Sequence, residues 1–435
     1  MLDLTQQNKV SPLINKLFVD NLGGLVSLLI LGLVDSYFLS FYGESDLAAA
    51  TYANPFVFTF VALFFGASYA KTVFLSHKYK ENKTDLIYYS NYIDRYIIIT
   101  AIILVALAIY FTKDILLLTG INTNILQQSI DYTVYHLLGF IFCLSNICLG
   151  AFLRSKGNVR VLTKTFLLIS LLNIGFDPLF IFYFDLGAKG AAIATSLSWF
   201  ISFFYINYMV FFKLGYSTRS KKTDLSHYTR LLPSAIFNQI LNPLTIMITV
   251  IFVNDFGVEV ISGYGVGFRI EKILVIFSIA IGSSLLIFAG QNHSNVKRQR
   301  EGLAYSLKLN FFITMLMSCT FLVFSRDIIS IFSLSQAAQD VAALYLNIMI
   351  ICFLFQSTQN VYSYYLNVTN RHNLVLFINT LRSFLILPLC LYLGSENYGF
   401  TGLFYGLATH HIIILIITLL FSTKEISYLF KKLIN

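Results

Sequence analysis

Residues 260–289 read VISGYGVGFRIEKILVIFSIAIGSSLLIFA, a run whose only charges are Arg269, Glu271 and Lys272. From Ile273 onward the side chains are apolar on every face of a helix. Neither the alternation of a half-buried strand nor the one-sided stripe of a soluble helix fits this pattern. A helix needs about 20 apolar residues to cross a bilayer, and this run is long enough. Comparable runs recur near 14–40, 47–75, 96–112, 130–153, 161–184, 190–213, 231–253, 304–325, 339–367, 373–394 and 399–422. The whole chain agrees: 57% of its 435 residues are apolar and 12% charged, with a mean hydropathy of +0.73. A soluble domain carries about 25% charged residues. The expected fold is an all-α integral membrane protein of twelve transmembrane helices.

The net charge of +9 invites a nucleic-acid reading, but its distribution argues for topology. Basic residues crowd the even-numbered loops and the C-terminal tail: Lys78, Lys80, Lys83 and Arg95; Arg154, Lys156, Arg160 and Lys164; Lys213, Arg219, Lys221, Lys222 and Arg230; Lys297, Arg298, Arg300 and Lys308; Arg371; Lys424, Lys431 and Lys432. The odd-numbered loops hold only Lys113, Lys189 and Arg326. The positive-inside rule then puts both termini in the cytoplasm of a multi-pass protein of the cell (inner) membrane. No nucleic-acid partner is expected. Cys143, Cys148, Cys319, Cys352 and Cys390 all fall in apolar runs, at spacings that fit neither a thiolate metal site nor a disulfide framework.

The run from Tyr42-Gly43 to Asn54-Pro55 has a counterpart 214 positions later, opening at Phe256-Gly257. Leu153-Arg154 matches Leu366-Asn367, Asp177-Pro178 matches Leu387-Pro388, and Gly187 and Gly190 match Gly399 and Gly402. The chain reads as two six-helix lobes, 1–213 and 231–435, joined by the polar linker 214–230. An even number of helices per lobe makes the repeats parallel, related by a pseudo-two-fold axis along the membrane normal, with a substrate cavity expected between them.

The repeats are most informative where they disagree. Asp35 aligns with Thr249, and Asp177 with Leu387, so these buried acids have no partner in the second repeat. Counted at 1.5 Å per residue, Asp35 lies about 8 Å from its helix's outer end, Asp177 about 10 Å and Thr195 about 8 Å. Asn173 shares the face of Asp177 four residues away, and Pro178 leaves a backbone carbonyl free nearby. A charged carboxylate is costly inside a membrane unless a proton or cation joins it. Asp35, Asn173, Asp177 and Thr195 therefore form a candidate ion-coupling site. Its all-oxygen ligand set suits H⁺ or Na⁺ and offers nothing to a soft metal.

At these residues the chain resembles the multidrug and toxic compound extrusion (MATE) family. The similar segments are Val34-Asp35-Ser36 with Gly43 and Leu47-Ala48-Ala49, then Leu153-Arg154-Ser155-Lys156-Gly157-Asn158 and Asn173-x-x-x-Asp177-Pro178-Leu179-Phe180-Ile181-Phe182. They continue with Gly187-x-x-Gly190-Ala191-Ala192-Ile193-Ala194-Thr195 and Gly290-Gln291-Asn292. The resemblance implies a cation-coupled exporter whose first-lobe coupling site maps onto Asp35, Asn173, Asp177 and Thr195. Two departures stand out. Helices seven and ten, which carry acids in some members, hold Asn238, Asn242, Asn347, Gln356 and Gln359 instead, and Val19-Asp20 replaces the proline of the first helix.

Further polar residues are candidates for the substrate cavity: Asn238, Asn242, Arg269 and Gln356. Arg269 and Lys272 share a helix face, and with Glu271 they read either as cavity lining or as an internally paired cluster. Lys71 and Arg382 sit where they could snorkel to the cytoplasmic side. His136, His410 and His411 read as packing residues. No phosphate-binding glycine loop is present, so the energy source expected is an ion gradient, with no cofactor. The sequence thus points to a secondary transporter rather than an enzyme: a monomeric efflux antiporter that moves small, cationic, amphipathic organic molecules by alternating access. Its alternative is a flippase for a lipid-linked oligosaccharide.

Overall fold

The computed structural model describes residues 10–81, 86–155, 160–220, 222, 224–292, 295–369 and 371–421. Lys83, Lys156, Gly157, Asn158, Lys221, Lys424, Lys431 and Lys432 lie outside these residues, as do the side chains of Asp20, Lys78, Lys80, Arg160 and Gln291. The described residues form helices and no strands: α1 Val10–Tyr42, α2 Glu44–Glu81, α3 Leu86–Leu118, α4 Leu126–Ser155, α5 Arg160–Pro178 and α6 Gly187–Asn207. The second series is α7 Ser226–Asn254, α8 Val258–Gln291, α9 Val296–Ser330, α10 Gln336–Val368, α11 His372–Leu381 and α12 Leu387–Leu420. Ten stretches are long and apolar enough to cross a membrane. One of these, Asn373–Leu420, is broken at Tyr398 and Gly399, which leave helical geometry. Dividing it there and adding α1 gives the twelve spans expected.

Expected and observed boundaries differ most in the third helix. The hydropathy boundary stopped the span at Arg95, whereas α3 starts at Leu86 and carries both Asp94 and Arg95 inside the helix. The reason is a partner: Asp94 forms an ion pair with Lys71 of α2, so a charged residue sits in the helix without ending it. Lys71 does not snorkel. It is 0% exposed, and its ammonium also donates to the Cys148 carbonyl of α4 at 2.9 Å.

Packing groups the residues into two compact units, Ile30–Ser262 and Met1–Leu29 with Gly263–Asn435. In the first, α2, α4, α6 and α7 pack closely, with Trp199 of α6 edge-on to the His136 ring of α4 at 5.1 Å. That histidine also lies 4.9 Å from Tyr132, and it packs as expected. In the second unit, α8, α9 and α10 build a core of Ile281, Leu285, Ala289, Leu303, Val361, Tyr362 and Tyr365, onto which Phe18 of α1 folds. Polar rungs cross this unit too: Asn310 of α9 donates to Ser357 of α10 at 3.0 Å.

Two joints carry the repeat into three dimensions. After Pro178 the fifth span continues as a π-helical turn, Leu179–Tyr183, in which the Phe184 N–H reaches the Leu179 carbonyl at 3.0 Å. In the eleventh span a π turn, Arg382–Ile386, precedes Pro388. Both corners that follow turn on a glycine with left-handed backbone, Gly187 (φ +52°) and Gly399 (φ +60°). That region is open to glycine and strained for other residues, so the matched glycines do the same work in each repeat.

Candidate ion-coupling site

The site sits where α1, α5 and α6 meet. Asn173 and Asp177, one turn apart on α5, are both 0% exposed, and Thr195 of α6 is 2% exposed. The Asn173 amide donates to Asp177 Oδ1 at 3.2 Å and to Thr195 Oγ1 at 3.1 Å. Both its hydrogens are spent on these two bonds, so the amide orientation follows. Its carbonyl oxygen and Asp177 Oδ2 are buried and accept no hydrogen bond from a fixed donor among the described residues. Asp35 of α1, half-buried, lies within hydrogen-bonding reach of Asp177. Two carboxyl groups in such contact need a proton or a cation between them, because carboxylates cannot both be charged at close range away from water. All four residues proposed from sequence are thus brought to one place.

Local structure explains how. Gly187, Gly190, Ala191, Ala192 and Ala194 put small residues on the start of α6, which lets its backbone approach α5 closely. At Gly190 a Cβ would stand 2.5 Å from the Phe180 carbonyl oxygen, so the approach admits nothing larger. The corner between the helices is held from outside. The Ala188 N–H donates to Asp46 Oδ1 at 2.7 Å, so a residue of α2 caps α6. The Tyr42 hydroxyl donates to Asp185 Oδ1 at 2.9 Å, and the Phe38 and Phe182 rings meet at 6.1 Å. Tyr42 and Phe38 follow Asp35 on α1, so the helix carrying the first acid is fastened to the one carrying the second. In the sequence Tyr42 marks only the repeat and Phe182 only the family resemblance, and Asp46 and Asp185 do not stand out: the partners of all four are more than a hundred positions away, and nothing in the pattern pairs them.

The substrate-cavity candidates are divided between the two units. Asn238 and Asn242 lie on α7 in the first unit, where Asn238 donates to the Ser234 carbonyl of its own helix at 3.1 Å. In the second unit Gln356 of α10 bonds to Glu271 of α8, which the Tyr345 hydroxyl also contacts. Arg269 lies near this group, within electrostatic range of Tyr264. The buried acids are therefore not confined to the first half. Glu271 is 3% exposed, a burial that the sequence hides because Arg269 and Lys272 beside it fit a cavity lining or a paired cluster equally well. Arg382 lies beside His410 and His411. Among the described residues no group of three His, Cys, Asp or Glu side chains could hold a metal ion, and the five cysteines are unpaired.

A family model, MatE, matches this chain twice, over residues 23–179 and 234–392. The chain belongs to the MatE family. The double match coincides with the internal repeat. Among curated MatE relatives, the FAD transporter of Shewanella oneidensis is 25% identical over 405 residues, covering 89% of this chain and 88% of that one. The multidrug export protein MepA of Staphylococcus aureus is 24% identical over 412 residues, with 89% and 87% covered. A solved MATE family transporter in an inward-facing conformation shares the fold at a TM-score of 0.83 and 18% identity, covering 92% of this chain and 95% of its own. The protein is therefore a multi-pass membrane transporter of the MatE fold.

Proposed function

We propose that this MatE protein is an efflux antiporter that couples export of organic, cationic amphipathic compounds to the inward flow of H⁺ or Na⁺. The observation that carries the reading is the contact of Asp35 with Asp177, held by the amide that links Asp177 to Thr195. A proton or cation relieves the repulsion of this acid pair. Binding of that ion shifts the equilibrium between conformations to the extent that it prefers one of them, which is the requirement for alternating access. In this reading the protein acts as a monomer in the cytoplasmic membrane, with both termini inside. The test is uptake of ethidium into inside-out proteoliposomes under an imposed pH or Na⁺ gradient. Asp35→Asn and Asp177→Asn are expected to abolish the gradient-driven component, and its survival in both variants refutes the assignment.

A second reading is favoured by the similarity to a FAD transporter. An anionic dinucleotide, or the pyrophosphate of a lipid-linked oligosaccharide, needs cationic partners, and Arg269 with Lys272 would supply them. Gradient-driven movement of FAD or of a lipid-linked glycan, without movement of ethidium, would replace the first reading with this one.

A further inference from the structure

Among the described residues, three carboxyl groups are buried within the spans against other helices, and they are handled in different ways. Asp94 has its own cation, Lys71, the one salt bridge among the described residues. Asp177 has Asp35. Glu271 has two cationic residues beside it in sequence, Arg269 and Lys272, yet it makes no salt bridge among the described residues. The Lys272 ammonium turns instead over the Phe268 ring, 4.6 Å from its centre. Neutral donors from α10, the Tyr345 hydroxyl and the Gln356 amide, reach Glu271 by hydrogen bond, and Lys272 acts on it through its charge without closing a salt bridge.

The surroundings are aromatic. Tyr264 lies 5.3 Å from Tyr345 and 6.4 Å from Phe404, and Tyr345 lies 5.2 Å from Phe404. Tyr264 and Tyr345 are 2% exposed, and Phe404 of α12 is 0% exposed. The charged or titratable groups facing Glu271 are Tyr345 from α10 and Tyr264, Arg269 and Lys272 from its own helix. The α12 histidines, His410 and His411, have Arg382 and each other as charged neighbours. These surroundings suit a proton: a carboxyl that is neutral when protonated and hydrogen-bonded to neutral donors when ionised can exist in both states at modest cost.

We propose that Glu271 is a second ion-carrying carboxyl, taking up a proton from one side of the membrane and releasing it to the other once per transport cycle, in addition to the Asp35–Asp177 pair. This rests on the antiport reading above. In proteoliposomes at clamped membrane potential, the pH gradient that just balances a fixed ethidium gradient should rise about twofold in Glu271→Gln, because one proton per cycle is lost from two. An unchanged balance point overturns the proposal. A second measurement needs no substrate: infrared difference spectra of the purified protein across a pH step should show a carboxylic acid band that Glu271→Gln removes and Asp35→Asn retains. Should wild type move no ethidium, the antiport reading fails and this band alone decides on Glu271. If Glu271→Gln does not fold, Tyr345→Phe, which keeps the acid and removes its donor, should shift the pH at which the band appears. A band that stays put overturns the proposal.

Discussion

Lys71→Met leaves Asp94, 8% exposed, inside the helix bundle with the Ser90 hydroxyl at 3.4 Å and the Cys148 thiol as its remaining hydrogen-bond donors among the described residues. The first is long and the second weak, and both are neutral, so a carboxylate there is close to uncompensated, and breaking a buried pair in this way costs about 3–5 kcal/mol. Asp94→Asn should cost less, about 2–3 kcal/mol, because the Asn oxygen still accepts from Lys71 and the Cys148 carbonyl already does so at 2.9 Å. Replacing both, as Lys71→Met with Asp94→Leu, removes the two charges together and should return stability to within about 1 kcal/mol of wild type. With Asp94→Leu as the second single variant, the coupling energy from the double-mutant cycle should therefore be large and favourable to the pair. The assay is reversible unfolding of the purified protein in mixed micelles, followed by the fluorescence of Trp199, which packs on α4 in the same unit. Single variants that each cost under about 1 kcal/mol, with additive effects, would refute the reasoning, because they would mean that water or lipid headgroups reach the pair.

Three other outcomes are expected. Asn173→Leu removes both donors of the bridging amide and should cost about 1–3 kcal/mol while abolishing gradient-driven transport; a variant that transports normally would exclude Asn173 from the site. Gly190→Val drives methyl groups into the Phe180 carbonyl, already 2.5 Å from a bare Cβ, and should lower thermal stability by about 1–3 kcal/mol; an unchanged melting temperature would contradict the close approach of α6 to α5. Asp46→Ala takes the cap from Ala188 and should cost about 0.5–2 kcal/mol, seen as faster amide exchange in the first turn of α6 and nowhere else in that helix.

Apolar length located every span, and the offset between repeats separated Asp35 and Asp177 from the shared scaffold. The four-residue spacing of Asn173 and Asp177 placed them on one helix face, and equal depth brought in Thr195. What remained hidden was rotation. A helix that is apolar all round carries no stripe to say which face meets a neighbour, so Lys71 could not be seen to point at Asp94, nor Glu271 at Tyr345. The same is true of Tyr42 and Asp185. Each of these contacts joins two helices through one pair of side chains, and one side chain leaves no period in a sequence. The break at Gly399 was easier to place, because a glycine that corresponds to Gly187 in the first repeat marked it.

The π turn after Pro178 is one residue longer than the α-helical turn it replaces. An α-helix advances about 100° per residue and a π turn less, so the wider turn takes in the extra residue without the rotation that a plain insertion into an α-helix would cause. Deleting a single residue within 179–183 would let the turn close into regular α-helix, with the acid site upstream and the corner at Gly187 both close to their present facing. The same deletion a turn earlier, in regular helix, would swing the Phe182 ring away from Phe38 by about a quarter of a circle. A family alignment that gains or loses one position at 179–183 would therefore mark the presence of the turn and leave the clasp between the first and fifth helices in place.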